Sequence, residues 1–116
     1  MNRSGKATKS TTTSLRTSVL KITEKSFQQQ VVDYARLQGW FVYHTYNSRR
    51  STPGFPDLTL VRAPRVIFAE LKVGKGRLSM HQSVWRERLL ACEGIEYYLW
   101  RPDSWDEIEE VLKLAR

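Results

Sequence analysis

Cysteine is nearly absent from this chain. Cys92 is the one thiol, so no intrachain disulfide can form, and a reducing compartment, the cytoplasm, is the expected setting. His44 and His81 are the two histidines; with one cysteine they are too few for a zinc-ligand set of the usual spacing. No apolar run approaches a membrane span, and the first twenty residues lack the apolar centre of a signal peptide. Acids are missing altogether from residues 1–21, which carry Arg3, Lys6, Lys9, Arg16 and Lys21 among serines and threonines. Such a segment buries too little apolar surface to offset its ordering entropy. Residues 1–21 are therefore expected to be a flexible basic arm, and residues 22–116 a single domain. The arm is either a polyanion contact or a solvated tail, and composition does not separate the two.

The net charge of +7 is distributed unevenly. Residues 25–88 hold eleven Lys or Arg against Asp33, Asp57, Glu70 and Glu87. From residue 89 onward the balance reverses, with seven acids against Arg101, Lys113 and Arg116. A basic centre beside an acidic C-terminal segment suggests one face for a polyanion and a back turned away from it.

Apolar periodicity and breakers divide the chain into an α-β-β-β-α-β-α order. A first helix is predicted from Thr23 or Glu24 to Gln38, stopped by Gly39, with Phe27, Val31, Tyr34 and Ala35 as its apolar stripe. Glu24 falls on that stripe, either lining a site or complementing the helix dipole. Trp40–Thr45 reads as strand one, and residues 46–56 as a loop carrying Arg49 and Arg50. Leu58–Val61 and the segment after Pro64 read as strands two and three. Ser79 and Gln82 form a capping box for a second helix that stops at Gly94; Ile95–Trp100 is strand four, and Ser104 with Glu107 a second box. The expected fold class is α/β: a small mixed sheet flanked by helices, the first three strands a meander and the fourth parallel to a neighbour.

Chemistry concentrates between Gly54 and Lys72. Gly54-Phe55-Pro56-Asp57 opens one apolar strand, and Phe68-Ala69-Glu70-Leu71-Lys72 closes the next. Glu70 and Lys72 are two apart and project from one strand face. Pairing of the strands brings Asp57 beside Glu70, so two carboxylates and an amine meet at a sheet edge, as metal-dependent phosphodiester chemistry requires. Pro102-Asp103 is an internal control: it precedes a helix, lacks a following Glu-x-Lys, and reads as helix capping.

Glu24, Asp57 and Glu70-x-Lys72, in that order, resemble the signature of the PD-(D/E)xK nuclease superfamily. Gly54-Phe-Pro-Asp57, the Phe-Ala-Glu-Leu-Lys strand, Arg77-Leu-Ser-x-x-Gln82-x-x-Trp85, Gly39-Trp40 and Trp100-Arg-Pro resemble its VRR-NUC branch, over roughly residues 23–112. The resemblance implies a restriction-endonuclease-like core and a DNA endonuclease. It implies Mg²⁺ or Mn²⁺ on Asp57, Glu70 and the Leu71 backbone carbonyl, with Glu24 binding through water or holding a second ion. Lys72 would orient or help deprotonate the attacking water. Stand-alone domains of this size resemble Holliday-junction resolvases, occur mainly in phages and bacteria, and are expected to act as homodimers on branched DNA. In a phage the location would be the host cytoplasm. Other members are fused to DNA-repair enzymes.

The remaining candidates keep two readings each. Gln82 is a capping partner or a site residue. His44 is an edge histidine or a phosphate contact, and Trp85 reads as core packing rather than a base platform. Arg49, Arg50, Lys75 and Arg77 are DNA-backbone contacts or solvated cations. Gly74-Lys75-Gly76-Arg77 lacks the phosphate-loop pattern, so no nucleotide cofactor is expected. The alternatives in function are a nicking or flap nuclease of the same fold, and a non-catalytic basic DNA-binding module.

Overall fold

The computed structural model describes residues 21–46 and 50–114. Apart from Lys21 the N-terminal arm lies outside these residues, as does Arg49. Thr23 starts helix α1 (Glu24–Leu37): its hydroxyl accepts the Ser26 N–H, and the Ser26 hydroxyl accepts the Thr23 N–H. Gly39, at a φ of +88°, turns the chain out of the helix. Phe27, Val31, Val32 and Ala35 are the buried stripe. Tyr34, expected there, instead packs at the core's edge, its ring 5.9 Å from that of Trp105.

The sheet runs β1 (Phe41–His44), β2 (Leu58–Arg62), β3 (Arg65–Leu71) and β4 (Glu96–Trp100), in that spatial order. The first two pairings are antiparallel and β3–β4 is parallel, reached through helix α2 (Met80–Leu90). A short 3₁₀ turn, Pro102–Ser104, then leads into α3 (Trp105–Leu112). This is the expected mixed α/β sheet. Leu58, Leu60, Ile67, Ala69 and Leu71 form one core with Phe27 and Val31 of α1 and with Ile108 and Leu112 of α3. Helix α2 packs against β4 and buries none of its residues completely. Phe41, Tyr43 and Val61 are exposed, with Phe41 and Val61 directly paired across β1 and β2.

Two local expectations change. Trp40 is not part of β1; it is buried, and its indole N–H donates to the Leu112 carbonyl at 2.8 Å. Ser104 forms no box with Glu107, because the preceding turn aims its hydroxyl at the Arg101 N–H, 3.1 Å away. Two cations of the basic centre also prove structural. Arg62 donates to the carbonyls of Gln38 and Leu112, and Arg65 to that of Val111, serving the C-terminal ends of α1 and α3. Both guanidinium groups stack on the Trp40 ring, 4.4 and 5.2 Å from its centre.

Arg65 further holds Glu96 in a two-pronged pair at 2.7 Å, and the Tyr98 hydroxyl donates to the same carboxylate. The Arg65 hydrogen bonds hold the Glu96 carboxyl below its ordinary value, against the opposing effect of burial. A depressed folded-state value contributes stability above the unfolded-state pKa, and that contribution is lost as pH falls through the folded one. Glu96→Gln should therefore cost about 0.5–1 kcal/mol at pH 7 for this half-exposed pair, with the gap to wild type closing below pH ~4. Urea unfolding at several pH values checks it; a gap that does not change with pH would contradict it.

Candidate active site

Asp57 sits one residue ahead of β2, where the chain turns in from the 46–56 loop. The β2–β3 register pairs Leu58 with Ala69, which carries Asp57 to the level of Glu70. The Asp57 carboxylate accepts the Leu71 N–H at 2.8 Å through Oδ2, taking the place of a ladder partner at the strand end. A strand residue presents its N–H and C=O to the same side. The Leu71 carbonyl is therefore turned toward Asp57 too.

Glu70 is 1% exposed, the one charged side chain that is buried among the described residues. Its Oε2 accepts from Gln82 Nε2 at 2.8 Å and lies 3.7 Å from Lys72 Nζ, so the period-2 expectation for Glu70 and Lys72 holds. Its Oε1 is buried with no hydrogen-bond partner. Burial first, then the negative charge of the neighbouring Asp57, push the Glu70 carboxyl well above the usual carboxylate range, with Lys72 opposing. Two carboxyl groups therefore adjoin, one half-buried and the other withdrawn from water with an open oxygen.

Gln82 caps α2 and also touches Glu70. Its Oε1 accepts the Ser79 N–H, completing the capping box of α2, while its Nε2 reaches Glu70. Glu24, the first residue of α1, lies on the predicted stripe's side in sequence but is exposed rather than buried. Partial desolvation first, and the Asp57 charge second, raise its carboxyl, so it belongs to the same electrostatic cluster. Among the described residues no trio of His, Cys, Asp or Glu is gathered closely enough to hold an ion. The oxygen donors that meet are the Asp57–Glu70 pair, with Glu24 farther out.

No family model matches the sequence, and no curated protein does. The three-dimensional comparison does find relatives. A solved structure titled "VRR_NUC domain" superposes with a TM-score of 0.62 at 21% identity, covering 75% of this chain and 94% of its own. A second, titled "VRR_NUC domain protein", gives 0.61 at 16% identity, covering 83% and 95%. The fold is that of a VRR_NUC domain.

On this VRR_NUC fold the loop before Asp57 is held at several points that no local periodicity announces. The Thr45 N–H donates to the Asp57 carbonyl at 2.8 Å, and the Thr45 hydroxyl to the Pro56 carbonyl at 2.7 Å. The Trp85 indole N–H donates to the Pro53 carbonyl at 3.1 Å, and Phe55 wedges edge-on between the rings of Trp85 and Phe68. Trp85 is thus a half-buried clamp on the loop, not the core residue expected. His44, half-buried opposite Leu58, rests its ring 4.4 Å from that of Tyr46. Arg50, Lys75 and Arg77 are exposed on the loops flanking the carboxyl groups.

Gly54 opens the Gly-Phe-Pro-Asp motif, and its lack of a side chain is required twice. It holds a φ of +93°, and a Cβ there would meet the His81 backbone carbon at 2.5 Å. Gly54→Ala should therefore destabilise the fold by about 1–3 kcal/mol through overpacking against α2. Chemical denaturation tests this, and an unchanged midpoint would show that the loop and α2 do not press together as described.

Proposed function

We propose that this chain is a Mg²⁺- or Mn²⁺-dependent DNA endonuclease, acting on backbone geometry at branched or junction DNA rather than on base sequence. The observation that carries the reading is Glu70, a buried carboxyl with one open oxygen, placed beside Asp57. Two ionised carboxylates about 4 Å apart repel by about 4 kcal/mol at an effective dielectric near 20. The arrangement is costly unless a cation stands between them. Oxygen donors from Asp57, Glu70 and the Leu71 carbonyl fit a small hard ion that keeps several waters, and Glu24 would reach it through one of those waters. When bound, such an ion supplies an acidified water and a Lewis acid for the phosphate.

The chain's own residues do the rest. Gln82 fixes the Glu70 carboxylate from the α2 side, and the Leu71 N–H fixes that of Asp57, so both are oriented in advance. Lys72 Nζ, 15% exposed and beside Glu70, orients the attacking water and steadies the negative charge that grows on the phosphate. Arg50, Lys75 and Arg77, with Arg49 outside the described residues, take phosphates on either side of the cut. A homodimer would present two such sites to the two strands of a branched molecule; the exposed Phe41, Tyr43 and Val61 offer apolar surface for that contact.

The test is a panel of junction, flap, nicked and linear DNA with Mg²⁺ or Mn²⁺. Asp57→Ala and Lys72→Ala should each lower cleavage about a hundredfold or more, the usual scale for removing one preorganised charge-stabilising group. Metal-independent cutting, or cutting indifferent to both substitutions, removes the mechanism. Preferential cutting of flaps or nicked sites assigns the enzyme to those substrates instead. DNA binding with no substrate ever cut makes the domain a binding module.

A further inference from the structure

Helix α2 displays His81, Val84, Trp85 and Arg88 at i, i+3, i+4 and i+7, the spacing of a helix's buried stripe. That stripe does not enter the core. It faces Thr52 and Pro53 across a groove of about 540 Å³. Val84 is 46% exposed in its wall. The groove is built in advance: Trp85 is tied to the Pro53 carbonyl, Phe55 stands edge-on behind the indole at 4.9 Å and 84°, and Gly54 seats the loop on the His81 backbone. Both of its walls are continuous along the chain with the carboxyl pair: Pro53 leads within four residues to Asp57, and His81 precedes Gln82, whose amide holds Glu70. Its lining is Pro53, Val84 and Trp85 with Thr52, bordered by His81 and Arg88 and by no acid.

Flat apolar walls with a cationic border suit a nucleobase that has left its stack, the phosphate beside it meeting Arg88. A groove of this size is within the range of small-molecule sites. A protein segment would need apolar and acidic character together. The polyanion proposed for the neighbouring carboxyl groups needs nothing new. We infer that this groove holds one unpaired nucleobase of the DNA whose backbone lies at Asp57 and Glu70. The inference rests on the nucleic-acid reading above and deepens it: the preferred substrate carries an unstacked nucleotide next to the cut.

The experiment uses the full chain in EDTA and two labelled duplexes, one unbroken and one with a single unpaired 2-aminopurine. The bulged duplex should bind about tenfold tighter, the scale of one stacked base, and its 2-aminopurine emission should fall on binding. Val84→Glu, at an exposed position, should abolish that preference, weakening the unbroken duplex no more than Arg88→Ala does. Arg88→Ala should weaken both duplexes. Equal wild-type affinity for the two duplexes, or a preference that survives Val84→Glu in a protein shown by its melting curve to be folded, overturns the inference. So does a Val84→Glu variant that turns a dimer into a monomer and weakens both duplexes alike, which would make the groove a contact between copies. Failure of the nuclease reading looks different: no DNA is cut in Mg²⁺ or Mn²⁺, yet the Val84-dependent preference remains.

Discussion

Glu70 is almost wholly withdrawn from water and still retains a carboxyl oxygen that no hydrogen bond satisfies. Most of the surrounding structure follows from tolerating that group. Its other oxygen is met by Gln82 and approached by Lys72, and the neighbouring Asp57 is held back by the Leu71 N–H. An isolated core carboxyl would be replaced at little cost by an apolar side chain of similar volume. Its position beside a second carboxyl group, at the end of the sheet where a loop and two helix starts converge, is what makes a cation the natural completion.

The site is assembled by elements that depend on one another. Helix α2 contributes little to the core, since none of its residues is fully buried. Its firm attachments are Gln82 on Glu70, Trp85 on Pro53, and the close seat of Gly54 against His81. The loop that delivers Asp57, and the helix that steadies Glu70, are thus clamped directly to each other. On the opposite face α1 and α3 supply the stability, closed around Trp40 by Arg62 and Arg65. Stability and chemistry occupy different faces of one sheet, so the α2 side remains open to a ligand.

Much of this was legible in the sequence because local rules governed it. The period-2 spacing put Glu70 and Lys72 on one face, the strand register brought Asp57 alongside, and the Ser79–Gln82 box was readable from three residues' separation. The element order and mixed sheet followed from periodicity and from Gly39 and Gly94 as stops. What was not legible depends on distant contacts. Nothing near Trp85 announces that its indole will bond Pro53, 32 residues away. Nothing near Arg62 and Arg65 marks them as partners of helix ends rather than of a polyanion. Ser104 failed as a cap because a 3₁₀ turn, not a free N-terminus, precedes the helix. Glu24 was assigned an inward face by an angular rule, which fixes direction around the helix but not burial at its first residue.

The central claim is that Asp57 and Glu70 form a cation site rather than a buried ion pair with Lys72. The most direct measurement is thermal unfolding of the wild type and Glu70→Gln with and without millimolar Mn²⁺. Gln retains the shape and a partner for Gln82 but removes the charge. A ligand that binds only the folded state at about a hundred times its Kd stabilises it by about 2.7 kcal/mol. The account predicts a rise of several degrees in the wild-type Tm with Mn²⁺ and little or none in Glu70→Gln. Equal shifts in the two proteins, or no shift in either, would contradict it.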